Sequence, residues 1–155
     1  IGAHYSGIIG ESPLGQPNNI FPIIGKVAMG LIDKLNIFGN DWPTRDGTCI
    51  RDYIHVMDLV DGHLAALDSA LNEGSLFSVF NLGTGHGTSV KELIKTFEKV
   101  NRIKIPFSIA PRRDGDVSFL VADSSKALKY LNWKTKYNLE DMCRDGWNWY
   151  KQNNI

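Results

Sequence analysis

Arginines placed beside turns are the residues of this sequence best suited to hold a ligand. Arg51 lies in Ile50-Arg51-Asp52-Tyr53-Ile54-His55, just after the turn residues Asp46-Gly47-Thr48. A guanidinium there presents a forked donor to a phosphate or a carboxylate. The competing reading is a surface ion pair with Asp52 or Asp58. Pro111-Arg112-Arg113-Asp114-Gly115-Asp116 carries two more arginines. Neighbouring side chains of an extended segment point to opposite sides, so at most one of the two faces a given ligand. The acidic residues after them could accept from sugar hydroxyls; the plain alternative is a self-neutralising hairpin loop. Asn36 with Phe38 sets an aromatic face beside a polar group, a pair that suits a nucleobase, against the commoner reading of a core aromatic.

Other chemistry finds less support. Gly83-Thr84-Gly85-His86-Gly87 stands where a dinucleotide-binding loop would, but Thr88 occupies the place of its third glycine. The acidic residue expected about 20 positions further on is missing too, since Arg102 and Ile103 lie there. A tight structural strand-to-helix turn is the better reading. His4, His55, His63 and His86 are scattered and suggest no metal site. No nucleophile with a base at local spacing stands out.

The elements that must position these groups alternate in type. Residues 1–20 hold Gly2, Gly7, Gly10, Gly15, Pro13 and Pro17, which is loop chemistry. They read either as disordered or as a functional loop anchored to something outside the chain. Asn19 and Pro22 suit the start of a helix. Leu35–Phe38 and Ile50–Ile54 read as strands. Val56, Leu59, Val60, His63, Leu64 and Leu67 recur at helical spacing through Leu71. Phe77–Leu82 reads as a strand buried on both faces. Ser89 and Glu92 form a capping box for a helix running to about Val100. Ile105–Ala110 and Val117–Ala122 are further strands, Asp123 caps a helix through Leu131, and Asn138 caps a last helix. The pattern is mixed α/β. A strand buried on both faces needs neighbours, so the helix-strand unit after Val56 is expected to complete a parallel sheet contributed by other residues.

Composition narrows the partners. The chain has 155 residues, with 17 Lys and Arg against 17 Asp and Glu. Zero net charge argues against a general nucleic-acid binder. No apolar run approaches the length of a membrane span. Cys49 and Cys143 are too few for a disulfide framework and read as reduced thiols, so a cytoplasmic location is expected.

Several stretches together resemble the UDP-glucose 4-epimerases. They are Gly2-Ala3-His4, Pro17-Asn18-Asn19, Ile37-Phe38-Gly39-Asn40-Asp41, Asp46-Gly47-Thr48, Arg51 to Leu59, Asn81 to Gly85, and Arg112 to Asp116. The resemblance implies an extended short-chain dehydrogenase/reductase with two lobes. Residues 1–155 would form the substrate lobe, with the NAD-binding Rossmann lobe absent from this chain. It implies transient oxidation at the sugar C4 by NAD, with the Tyr-x-x-x-Lys pair in the other lobe, no catalytic residue here, and no activity for this part alone. It implies substrate contacts one by one. Asn19 and the two arginines Arg51 and Arg113 would hold the diphosphate, Asn36 and Phe38 the uracil, and Asp116 the ribose, while Tyr53 would line the same pocket. Leu120 would lie beside the sugar, where a residue smaller than tyrosine implies room for UDP-N-acetyl sugars besides UDP-glucose and UDP-galactose. The intact protein would be a homodimer. A dehydratase or decarboxylase lobe of the same superfamily, or a non-catalytic nucleotide-sugar binding module, are the alternatives.

Overall fold

A computed structural model describes residues 1–15, 17–73 and 78–153. The elements in order are α1 (Ile20–Ala28), β1 (Leu35–Phe38), β2 (Ile50–Arg51), α2 (Val56–Glu73), β3 (Thr88–Ser89), α3 (Val90–Asn101), β4 (Phe107–Ala110), β5 (Phe119–Leu120), α4 (Ser125–Leu131) and α5 (Leu139–Asn153). The fold is mixed α/β with parallel strand pairs, as the alternation predicts. β1 and β4 pair in parallel, Leu35 opposite Phe107 and Phe38 opposite Ala110. β2 is the centre of a second small sheet, antiparallel to β3 and parallel to β5.

The core lies between α1, α3, α5 and the inner face of β1. Phe21, Ile24, Leu35, Ile37, Leu93, Ile94, Phe97 and Trp147 are all buried there. Each such side chain removed from water contributes about 1.5–3 kcal/mol. α1 and α5 meet through glycines. A Cβ at Gly25 would lie 2.3 Å from the Tyr150 ring, and one at Gly146 2.3 Å from Phe21. Alternation along β1 leaves Asn36 and Phe38 on its other face, toward the cavity described below.

Local signals set most boundaries. Ser89 accepts from the Glu92 amide while the Glu92 carboxylate accepts from the Ser89 amide, the reciprocal cap expected at the start of α3. Asn138 and Asp141 exchange the same pair of bonds before α5. The cap of α4 is Ser124, one residue beyond Asp123, although Asp123 still accepts from the Ser125 amide at 2.9 Å.

Three expectations are corrected. The first part of the opening segment does not hang free, because α5 holds it at Gly7 and Glu11, while residues 8–15 are exposed. Trp149 donates to the Glu11 carbonyl at 3.1 Å and Asn153 to the Gly7 carbonyl at 3.0 Å. The segment predicted as a doubly buried strand over Phe77–Leu82 forms no strand among its described residues 78–82, and Val79 is exposed; Phe77 lies outside the described residues. Finally, α2 forms as predicted, but its apolar stripe of Val60, Leu64, Leu67 and Leu71 is exposed. The packed side is instead Asp58 and Gly62, where a Cβ on Gly62 would lie 2.6 Å from Leu82. Both the segment and the helix thus present apolar surface with no covering element among the described residues. Among the described residues no helix is long and apolar enough to cross a membrane.

Candidate functional site

The start of α1, the outer face of β1, β2 and the loop before β5 surround a cavity of about 440 Å³. Asn19, Asn36, Phe38, Arg51, Tyr53, Arg113 and Asp116 all line it. These seven come from sequence positions up to 97 apart by number, 116 less 19, so only the fold brings them together. The eighth candidate, Leu120, stands away from the cavity. It sits across the ladder from Arg51 and is 61% exposed.

Arg51 is fixed by backbone. Its Nη1 donates to the Ile50 carbonyl at 2.9 Å and to the Val117 carbonyl at 2.8 Å. Its Nη2 donates to Asp116 Oδ1 at 3.2 Å. Neither Asp52 nor Asp58, the partners of the plain ion-pair reading, takes Arg51. Asp52 instead accepts from the Thr84, Gly85 and Ala122 amides, and Asp58 from the Lys136 and Tyr137 amides. By anchoring the turn after Leu82 and the end of the β5 segment, Asp52 fixes the backbone on which its neighbours Arg51 and Tyr53 stand.

The two adjacent arginines do point apart. Arg112 turns outward, lying 4.0 Å over the Trp42 ring and donating to Asp41 at 2.8 Å. Arg113 turns to the cavity, where its Nε donates to Asp116 Oδ2 at 3.0 Å and its guanidinium carbon lies 4.7 Å over the Phe38 ring. Arg51, Arg113, Asp116 and Phe38 are therefore one cluster lining the cavity.

Asn36, Asn19 and Tyr53 line the same cavity beside this cluster. Alternation along β1 buries Leu35 and Ile37 and leaves Asn36 and Phe38 on one face. Asn36 accepts from Ser108 through Oδ1 at 2.8 Å, which leaves its amide nitrogen as a donor toward the cavity. Asn19 occupies the N-cap position of α1, but its side chain makes no cap bond. Burial pushes the Tyr53 phenol up to about 12, against the opposing charge of Arg51. It therefore stays a neutral donor across the working range of pH.

Sequence reasoning missed other lining residues, among them Glu11, Cys49 and Val90. Val90 follows the Ser89 cap, and nothing in its type signalled a role. The resemblance puts the Tyr-x-x-x-Lys pair in the other lobe, yet Lys134 follows Tyr130 at that spacing in this chain. The pair cannot act as a unit on one helix turn. α4 ends at Leu131, Asn132 turns into the left-handed region, and Tyr130 is exposed away from the cavity.

Among the described residues no group of three or more side chains could hold a metal. His55 is buried, with Nε2 3.4 Å from Asp145 and Nδ1 accepting from the Met57 amide. Burial pushes its pKa down. Both cysteines are free and buried, and burial pushes the Cys143 thiol up to about 12.

Residues 3–146 match the family described as GDP-mannose 4,6 dehydratase. The chain is 52% identical over 154 residues to a bifunctional UDP-glucose 4-epimerase and UDP-xylose 4-epimerase of Arabidopsis thaliana, covering 99% of this chain and 44% of that protein. It superposes on a UDP-glucose 4-epimerase of Stenotrophomonas maltophila, solved with NAD and formylated UDP-arabinopyranose, with a TM-score of 0.94 and 48% identity. That match covers 98% of this chain and 45% of the other. A UDP-glucose 4-epimerase of Bifidobacterium longum, solved with NAD+ and UDP, gives 0.91 and 45% identity over 99% of this chain and 45% of the other. The chain thus spans less than half the length of the relatives it matches.

Proposed function

Since this chain belongs to the extended short-chain dehydrogenase/reductases, in the family described as GDP-mannose 4,6 dehydratase, we propose that it is the UDP-binding, carboxy-terminal half of a UDP-glucose 4-epimerase. The intact protein would interconvert UDP-glucose and UDP-galactose, as a homodimer. The family's own description names a dehydratase, but relatives at 52% identity across the chain are called epimerases, and this favours the epimerase reading.

The observation that carries the proposal is the convergence of Arg51 and Arg113 on one point beside the Phe38 ring. Two forked guanidiniums 62 positions apart in number suit a diphosphate better than a single carboxylate. Asn19 would add a donor at the start of α1, where the helix dipole favours an anion. Phe38 would stack on the uracil while the Asn36 amide reads its edge. Asp116 would accept from the ribose, and the neutral Tyr53 phenol would donate along the same wall.

This lobe would therefore grip the nucleotide and leave the sugar to extend past it. Binding energy gathered on a remote, unreacting part of a substrate positions the reacting carbon. The glycine turn that resembles a dinucleotide loop does not suit NAD. The glycine turn after Leu82 has its Thr84 and Gly85 amides already donating to Asp52, so it offers no cradle for a pyrophosphate. The cofactor would be held mainly by the rest of the intact protein. The 155-residue chain mixed with NAD and UDP-galactose is accordingly expected to bind the nucleotide sugar and release no UDP-glucose. Turnover by the pure chain in a coupled assay would contradict this division of labour.

A further inference from the structure

Asp116 stands where both cavity arginines already point. Its Oδ1 accepts from Arg51 Nη2 at 3.2 Å, and its two oxygens accept from Arg113 Nε at 3.0 Å and Nη2 at 3.4 Å. The Asp116 side chain is only 17% exposed and that of Arg51 24%. Arg113 is the more exposed partner, with half its side chain in water and its guanidinium stacked on Phe38. The chain thus supplies its own anion to its own anion site, and one arginine also covers the ring.

Resting on the nucleotide reading, we propose that Asp116 is a specificity-determining counter-ion that shuts the arginine pair against bare phosphates and yields it to a nucleoside diphosphate. A diphosphate entering between Arg51 and Arg113 must displace the Asp116 carboxylate. Bare pyrophosphate then leaves that carboxylate half-buried, without donors and beside new negative charge, which is costly. A nucleoside diphosphate brings two compensations with it. The ribose offers hydroxyl donors to the displaced carboxylate, and the base takes the place of the Arg113 guanidinium over Phe38. The exchange is local, because the turn itself holds its shape. The Asp116 amide donates to the Arg113 carbonyl at 3.3 Å around Gly115, whose φ of +83° only glycine adopts readily.

The test is calorimetric titration of the full chain with UDP and with inorganic pyrophosphate. Wild type is expected to prefer UDP strongly. Asp116→Asn removes the competing charge with little change of shape and should tighten pyrophosphate about tenfold while UDP weakens or stays level. The UDP-to-pyrophosphate affinity ratio should then fall at least about tenfold, and Asp116→Glu, which keeps the carboxylate, should restore most of it. A merely structural residue would weaken both ligands together, and that result in a variant with unchanged melting temperature would overturn the proposal. Pyrophosphate affinity unchanged in Asp116→Asn would overturn it equally. Failure of wild type to bind UDP at all would instead sink the nucleotide reading on which it rests.

Discussion

Arg51→Ala is expected to weaken UDP binding by this chain at least about 100-fold, roughly 2.8 kcal/mol, while the chain stays folded. Truncating one partner of a partly buried, hydrogen-bonded charge pair costs about 2–5 kcal/mol of binding. Here the loss includes Asp116, which would keep only the more exposed Arg113. Of the two bonds that Arg51 makes to carbonyls, that to Ile50 is partly buried and that to Val117 exposed, so water would serve them in its place. Arg51→Lys should recover little, because one ammonium cannot hold both carbonyls and a diphosphate in a fork. Isothermal titration with UDP checks both variants, with the far-ultraviolet circular dichroism as the control for folding. Equal affinity of wild type and Arg51→Ala would remove this residue from the site.

Asp58→Ala should do the opposite, destabilising the chain while leaving the UDP affinity of the folded molecules intact. The Asp58 carboxylate is fully buried at the start of α2 and accepts the Lys136 amide at 2.9 Å and the Tyr137 amide at 3.1 Å. It is the clasp that holds the segment between α4 and α5 against α2. Tyr137 in turn stacks on His55, with ring centroids 4.3 Å apart. Alanine would leave two backbone donors without partners at about 1–3 kcal/mol each. A chain of this length loses about 2–4 °C of melting temperature per kcal/mol, so the midpoint should fall by about 10 °C. Asp58→Asn keeps one acceptor and should fall by less. A thermal melt in which the alanine variant matches wild type would show that water replaces the clasp.

These two residues also mark what could be read in advance. β1 was legible because Leu35 and Ile37 alternate with Asn36 and Phe38, and a strand has only two faces. The caps of α3 and α5 were legible because their partners lie three residues apart. The roles of Arg51 and Asp58 were not, since each depends on groups more than sixty positions away in the chain. Local sequence made an ion pair between Arg51 and Asp52 or Asp58 the better reading. Only the resemblance singled out Arg113 and Asp116 as its companions in a ligand site.

α2 shows the complementary failure. Its apolar spacing identified a helix, but periodicity reports only that a face is apolar and not what lies against it. In this chain the apolar face is exposed, and the packing is done by a small residue and a carboxylate, Gly62 and Asp58. The segment predicted as a strand over Phe77–Leu82 fails for the same reason, because a ladder needs a neighbouring strand and none is supplied among the described residues. The Tyr130 to Lys134 spacing is a warning of another kind. A motif spacing exists in the sequence, yet the left-handed Asn132 breaks the helix between its two members.

The most direct measurement is a titration of the isotopically labelled chain with UDP, followed by nuclear magnetic resonance of the amide, guanidinium and aromatic signals. Arg51, Arg113, Asn36 and Phe38 should shift together with one saturation curve, while exposed residues of α2 such as Leu64 and Leu67 stay put. Shifts confined to other surfaces, or a spectrum that UDP leaves unchanged, would contradict the account.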